Sequence, residues 1–201
     1  MAPNQKSRLG RLLVVGALAV MATAVGLWFR SAPPAPPVSR PGGILASNLV
    51  QRDGHWLWRS NTNLVFTGVM VEKFPSGGLR ARVEISNGLA DGWTETWHTN
   101  GQAQLREHFK RGVSDGLRQR WFEDGRKQSV AMIVDGKVDG LFERWHENGQ
   151  LAEKIQMKDG QPVGVAWAYY PSGFVKAETM IEAGHPRNQK RWKDGEFKSL
   201  Q

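Results

Sequence analysis

Five histidines, His55, His98, His108, His146 and His185, are the residues of this chain best suited to proton transfer or metal binding. Their spacing points to neither. No two of them lie three to five residues apart, as zinc ligands commonly do, and the chain has no cysteine to complete a thiolate site, form a disulfide or act as a nucleophile. His98 and His146 are 48 residues apart, and the carboxylates Glu95 and Glu143 share that interval. A catalytic carboxylate pair needs two different environments around one cleft, whereas a recurring position supplies one environment several times. Asp91, Asp115 and Asp139 each precede a glycine and invite a calcium reading. One aspartate per 24 residues is better explained by turn geometry, and Val163 replaces it in the last full copy. No G-x-x-x-x-G-K-[ST] phosphate loop occurs. The expectation is a chain with no catalytic set, metal or cofactor.

The side chains that do stand out are aromatic. Trp97, Trp121, Trp145 and Tyr169 recur at a 24-residue interval, with Lys73 breaking the column in the first copy, and Phe74, His98, Phe122, His146 and Tyr170 follow one position later. Trp93, Trp97, Trp121, Trp145, Trp167 and Tyr169 form the candidate interaction surface, since regularly spaced rings on a sheet can stack sugars or bases, or meet a protein. The simpler alternative is that they cover the apolar face of the sheet itself.

Three glycine columns share the period: Gly68, Gly92, Gly116, Gly140 and Gly164; Gly77, Gly101, Gly125, Gly149 and Gly173; Gly88, Gly112, Gly136, Gly160 and Gly184. A fixed period of this size marks a stacked repeat array. The segments between glycines are short and rich in aromatic and β-branched residues, so each copy reads as two strands. PSG at 75–77, TNG at 99–101, EDG at 123–125, ENG at 147–149 and PSG at 171–173 fit a type I turn followed by a left-handed glycine, a three-residue hairpin loop with turn glycines Gly101, Gly125, Gly149 and Gly173. That loop pairs residue 97 with 103, 95 with 105 and 93 with 107, and so predicts one apolar face of odd-numbered residues, Trp93, Trp97, Leu105 and Phe109 in one repeat and Leu117, Trp121, Ala131 and Ile133 in the next. Thr94, Thr96, Arg106, Arg118, Arg120, Arg144, Lys154 and Lys176 are expected on a wet opposite face. The second connection, GVSDG at 112–116 or GKVDG at 136–140, reads as a longer glycine-flanked turn whose aspartate bonds nearby amides. The fold class expected is all-β: an antiparallel meander of about five 24-residue β-hairpin repeats in one elongated, curved sheet, preceded by a transmembrane helix.

The pattern D-G-L-x-x-x-W-x-x-N-G-Q-L in DGLFERWHENGQL, with looser copies DGWTETWHTNGQA and DGLRQRWFEDGRK, resembles the MORN-repeat variant of bacterial YwqK-family antitoxin-like proteins over about residues 64–187. The resemblance implies a curved hairpin meander, and ordinary MORN repeats, similar to these, imply scaffolding and membrane association. The chain departs from a soluble antitoxin in its first 43 residues.

Leu12 to Phe29 is uncharged over 18 residues and would span roughly 27 Å as a helix, close to the hydrocarbon thickness of a bilayer. The preceding Lys6, Arg8 and Arg11 put residues 1–11 in the cytoplasm and the rest outside it. A cleaved signal peptide is the competitor. Residues 30–43 form a proline-rich linker, 44–67 N-terminal capping strands around Asp53-Gly54, 68–187 the repeats, and 188–201 a C-terminal cap or basic tail. Net charge is +8, but residues 1–41 hold five basic residues and no acid, leaving 22 basic against 19 acidic in the remainder. That near balance, with an extracytoplasmic location, argues against nucleic acid. The function expected is a non-enzymatic protein-binding or scaffolding module, membrane-anchored through a single pass, with a protein partner. The alternatives are an antitoxin-like neutraliser of a toxin and a glycan-binding module resting on rings such as Trp97 and Trp145.

Overall fold

The computed structural model describes residues 42–197. Strands are β1 (Ile44–Leu45), β2 (Leu49–Arg52), β3 (His55–Trp58), β4 (Asn61–Val65), β5 (Gly68–Lys73), β6 (Leu79–Ser86), β7 (Leu89–Trp97), β8 (Ala103–Lys110), β9 (Val113–Trp121), β10 (Lys127–Val134), β11 (Lys137–Val138), β12 (Gly140–Trp145), β13 (Leu151–Lys158), β14 (Gln161–Tyr169), β15 (Val175–Glu182) and β16 (His185–Arg191). From β5 to β16 each hairpin pairs with the next in chain order, apart from the short β11, which pairs β10 alone; only β1, beside β5, is parallel. This is a large, mostly antiparallel sheet, as the alternation of strands and glycine turns predicts. A separate three-stranded sheet, β2-β3-β4, precedes it. The described residues contain one 3₁₀ turn, Ala46–Asn48, and no helix among them is long and apolar enough to cross a membrane. The expected span over 12–29, the cytoplasmic segment 1–11 and most of the linker lie outside the described residues.

The two turns of each repeat differ. In the first, the Gly101 amide donates to the His98 carbonyl at 2.9 Å and the His98 amide to the Gln102 carbonyl at 2.8 Å, with Gly101 at φ +85°. This is the three-residue loop expected from TNG, and EDG, ENG and both PSG stretches repeat it. The second is a correction. It is a two-residue loop with both φ values positive, at Asn87-Gly88, Arg111-Gly112, Asp135-Gly136, Asp159-Gly160 and Ala183-Gly184. Strands resume directly at Val113 and Lys137, so most of GVSDG and of GKVDG belongs to strands. Such a turn matches the right-handed twist of flanking strands, which a longer loop need not.

The face assignment is also corrected. Trp97 pairs with Ala103 as expected, but a bulge then places Thr96 opposite Leu105, Glu95 opposite Arg106 and Trp93 opposite His108. The extra residue is Gln104, and its equivalents Arg80, Gln128, Ala152 and Lys176 sit at the same place in the other repeats. One inserted residue reverses the side on which every later side chain of that strand falls. Leu105, Phe109, Ala131, Ile133 and Ile155 therefore lie on the face opposite the tryptophans, while Arg106 and Lys154 join the tryptophan face. Burial follows on both faces: Trp97, Trp121 and Val130 on one, Ala131 and Ile133 on the other.

Repeats are latched to their neighbours at both turn ends. The glycine amides of the first four two-residue turns donate to a carbonyl 22 residues earlier, Gly88 to Phe66, Gly112 to Ala90, Gly136 to Ser114 and Gly160 to Val138, at 2.7–2.9 Å. At the other end the Asn100 and Asn148 side-chain amides donate to the carbonyls of Glu123 and Pro171 in the following loop, both at 2.6 Å. The N-terminal segment contributes its own core, in which Leu49, Phe66, Met70 and Ile85 are buried with Trp56 and Trp58 against them. There the Trp56 amide donates to the Gly88 carbonyl at 2.7 Å, and Phe66 supplies the carbonyl for the Gly88 amide at 2.8 Å, as Ala90 does for Gly112.

Candidate functional site

On the tryptophan face the strand register aligns Arg82, Glu95, Arg106, Gln119, Val130, Glu143, Lys154, Trp167, Glu178 and Lys190 in one row across the sheet. Opposite charges alternate within it. Arg82 lies 3.4 Å from Glu95, which lies 3.5 Å from Arg106; Lys154 lies 3.7 Å from Glu143 and Lys190 3.7 Å from Glu178. Cross-strand pairs of this kind add a few tenths of a kcal/mol each, up to ~1 kcal/mol, and fix register. The row was hidden from sequence because the bulges change which residues share a face.

The six candidate aromatics do not form one exposed platform. Trp97 and Trp121 are each 4% exposed. Trp93 is half-buried, with the Arg106 guanidinium 3.9 Å from its ring centre and the His108 ring edge-on at 5.0 Å. Trp145 is half-buried under the Lys127 ammonium at 5.5 Å. Trp167 and Tyr169 are half-buried, with Trp167 opposite Lys154 and Glu178. Cations over ring faces are held by the negative quadrupole of the π system and block the surface a sugar would stack on. The aromatic column thus serves mainly as packing in its first half and offers partly open rings only from Trp145 onward.

The polar residues singled out by type are committed elsewhere. Nε2 of His98 lies 3.0 Å from the Trp121 carbonyl and Nε2 of His146 3.0 Å from that of Tyr169, the same contact 23 residues on. His108 Nδ1 bonds the Asp115 carbonyl at 2.8 Å. Asp139 accepts from Lys158 Nζ at 2.7 Å and from the Asp159 amide, and these two hydrogen bonds hold its carboxyl below the usual aspartate range. Asp91 is exposed. Among the described residues no three His, Asp or Glu side chains gather as metal ligands.

Gly112 to Gly116 has the G-x-S-x-G spacing of a nucleophile elbow, a match that is easily passed over when every glycine is assigned to a turn. The structure gives it a different setting. Ser114 lies in β9 and donates from Oγ to Glu107 Oε1 at 2.5 Å, and Arg118 pairs with the same carboxylate. An elbow needs a sharp strand-to-helix turn and a neighbouring base. Here His108 faces the tryptophan side, while Ser114 and Glu107 occupy the other. Glu107 is 6% exposed, so the cluster is a buried ion pair closed by a hydroxyl.

That second face carries a depression of about 690 Å³ lined by Thr96, His98, Gln104, Leu105, Arg120, Phe122 and Gln128, with Glu123, Asp124 and Glu147 at hand. A smaller one adjoins it and shares Arg120, Phe122 and Gln128. Two of the bulge residues, Gln104 and Gln128, thus point amide groups into the open surface between repeats.

The hairpin with two glycine turns, a Trp-His pair and an Asn-Gly loop spans β12 and β13. Residues 138–159 match the MORN repeat variant family. The neighbouring hairpins β7/β8 and β9/β10 repeat its turn bonds and bulge position, so the MORN-type unit recurs structurally beyond the matched segment. No curated protein matches the chain.

Proposed function

We propose that the chain is a non-enzymatic protein-binding or scaffolding module, tethered at the cell envelope by residues 12–29, with its MORN-type sheet outside the cytoplasm. The observation that carries this reading is the commitment of the chemistry-bearing side chains. His98, His108, His146, Asp139, Glu107 and the serine of GVSDG each bond within or between repeats, as Glu107 does to Ser114 and Arg118. What recurs toward solvent is surface, and a MORN-variant match at residues 138–159 supports a repeat module. The likeness of DGLFERWHENGQL to YwqK-family antitoxin-like proteins adds a partner-neutralising version of the same protein-binding role. Glycan stacking at Trp97 or Trp121 is disfavoured by their burial.

The test places a photoreactive residue at exposed Arg120 or Val165 in the full-length chain in cells. The reading expects discrete protein adducts whose pattern differs between the two positions. Absence of any protein adduct at either position, with glycan adducts in their place, would contradict it.

A further inference from the structure

β16 ends the large sheet, and all seven of its residues are exposed. In each preceding repeat the first strand is paired on both sides, because the chain leaving the three-residue loop returns along its outer side, as Ala103 does beside Trp97. β16 occupies that first-strand position in a sixth unit. It is followed by a turn, Lys193 to Glu196, in which the Glu196 amide donates to the Lys193 carbonyl at 3.1 Å. The chain then takes another course. The Phe197 carbonyl accepts from the Val175 amide of β15 at 2.8 Å, and its ring stacks on Trp192 at 4.9 Å. Among the described residues the outer edge of β16 is therefore unpaired, at a position where the same fold elsewhere seats a strand of eight residues.

The strand HPRNQKR contains Arg187, Lys190, Arg191 and His185 and no acid. Arg187 and Lys190 reach back to Glu182 and Glu178 on β15 at 3.6 and 3.7 Å, and all of these groups but the half-buried Glu178 remain water-exposed. Pairing with β16 of a second copy would set basic residues against basic residues, which opposes association. Residues 1–41 and 198–201 contain no acid either, so they lack the chemistry to match it. We propose that the outer edge of β16 receives an acidic, extended segment of a partner protein as an added antiparallel strand, with backbone hydrogen bonds supplying affinity and the basic side chains selecting the sequence. This rests on the protein-binding reading and names the partner's chemistry.

The experiment measures amide hydrogen exchange of β16 in the full-length protein with three eight-residue probe peptides: one alternating glutamate and valine, its lysine counterpart, and the glutamate peptide N-methylated at alternate residues. The acidic peptide should slow exchange of the β16 amides that do not pair with β15 at least tenfold, and the other two should leave it unchanged. Reversing charge with Arg187→Glu and Arg191→Glu together should weaken the acidic peptide at least tenfold while thermal unfolding stays unchanged. Equal protection by the lysine or N-methylated peptide, no protection by the acidic one, or indifference to the charge reversal in a folded variant would overturn the assignment. If photo-crosslinked partners persist on the charge-reversed protein, the edge is the wrong site and the binding role stands. If the acidic peptide binds while no protein adduct forms in cells, it is the broader role that fails.

Discussion

Single residues in this protein are set by the turn or rung they occupy, and their chemistry follows. Asp139 reads in sequence as a turn aspartate bonding nearby amides; it lies instead between two strands and accepts from the amide of Asp159, 20 residues on. Its second partner, Lys158, lies across the hairpin and needed the register to be found. Lys158 is correspondingly raised above the usual lysine range, first by its hydrogen bond to Asp139. A lowered carboxyl contributes stability above its unfolded pKa and loses it as pH falls through the folded value. A raised lysine contributes below its unfolded pKa and loses it as pH rises through the folded one. Between those limits the pair is intact, and carboxyl titration by NMR should place Asp139 below an ordinary aspartate and return it toward the ordinary range in Lys158→Ala. The two-residue turns yield a second prediction. Ala183 holds φ +49°, a region that asparagine enters with less strain than alanine, and Asn87 occupies the equivalent position at the same angle. Ala183→Asn should stabilise the fold by about 0.5–1 kcal/mol in urea unfolding.

At the scale of elements, the single-residue bulge decides which side chains meet. It turns Glu107, Arg118 and Ser114 into one cluster on the face opposite the tryptophans and sets Arg106 over Trp93. Arg118→Ala removes the cationic partner of a carboxylate that is 6% exposed, and should destabilise the protein by about 3 kcal/mol. Replacing Glu107 and Arg118 together by Leu and Met should recover most of that loss, because a buried pair exchanged for apolar groups leaves no unpaired charge. Both are read by chemical denaturation, and a double variant as unstable as Arg118→Ala would contradict the cluster's assignment as a buried pair. Strand content and the loops at TNG, EDG, ENG and PSG were readable because the left-handed glycine and the prolines leave few turn types. The second turns were also readable in principle: Asn87-Gly88, Asp135-Gly136 and Asp159-Gly160 are two-residue hairpin signals, the first two outweighed in the reading by the more conspicuous Asp91-Gly92 and Asp139-Gly140 pairs four residues on. The bulge had no such signal. Arg80, Gln104, Gln128, Ala152 and Lys176 have no chemistry common to all five, and strict alternation from Trp97 carries Leu105 and Phe109 to the wrong face.

For the whole molecule, the 24-residue period was sufficient to specify a large antiparallel sheet built from hairpins, since each hairpin must cover its neighbour's edge. It was not sufficient to specify a surface, because that depends on burial across strands. Trp97 and Trp121 look identical in type to Trp145, yet only the first two are closed from solvent to 4%. The proposed role joins two parts of the chain: a recurring sheet that commits its reactive groups internally, and an apolar segment at residues 12–29 that would hold it at a membrane with its C-terminus outside the cytoplasm. The most direct measurement fuses a reporter active only outside the cytoplasm after Gln201 and follows the intact chain through membrane fractionation. Reporter activity with the uncleaved chain retained in the membrane fraction is the predicted result; a cytoplasmic C-terminus would contradict the account and leave a soluble, antitoxin-like partner role in its place.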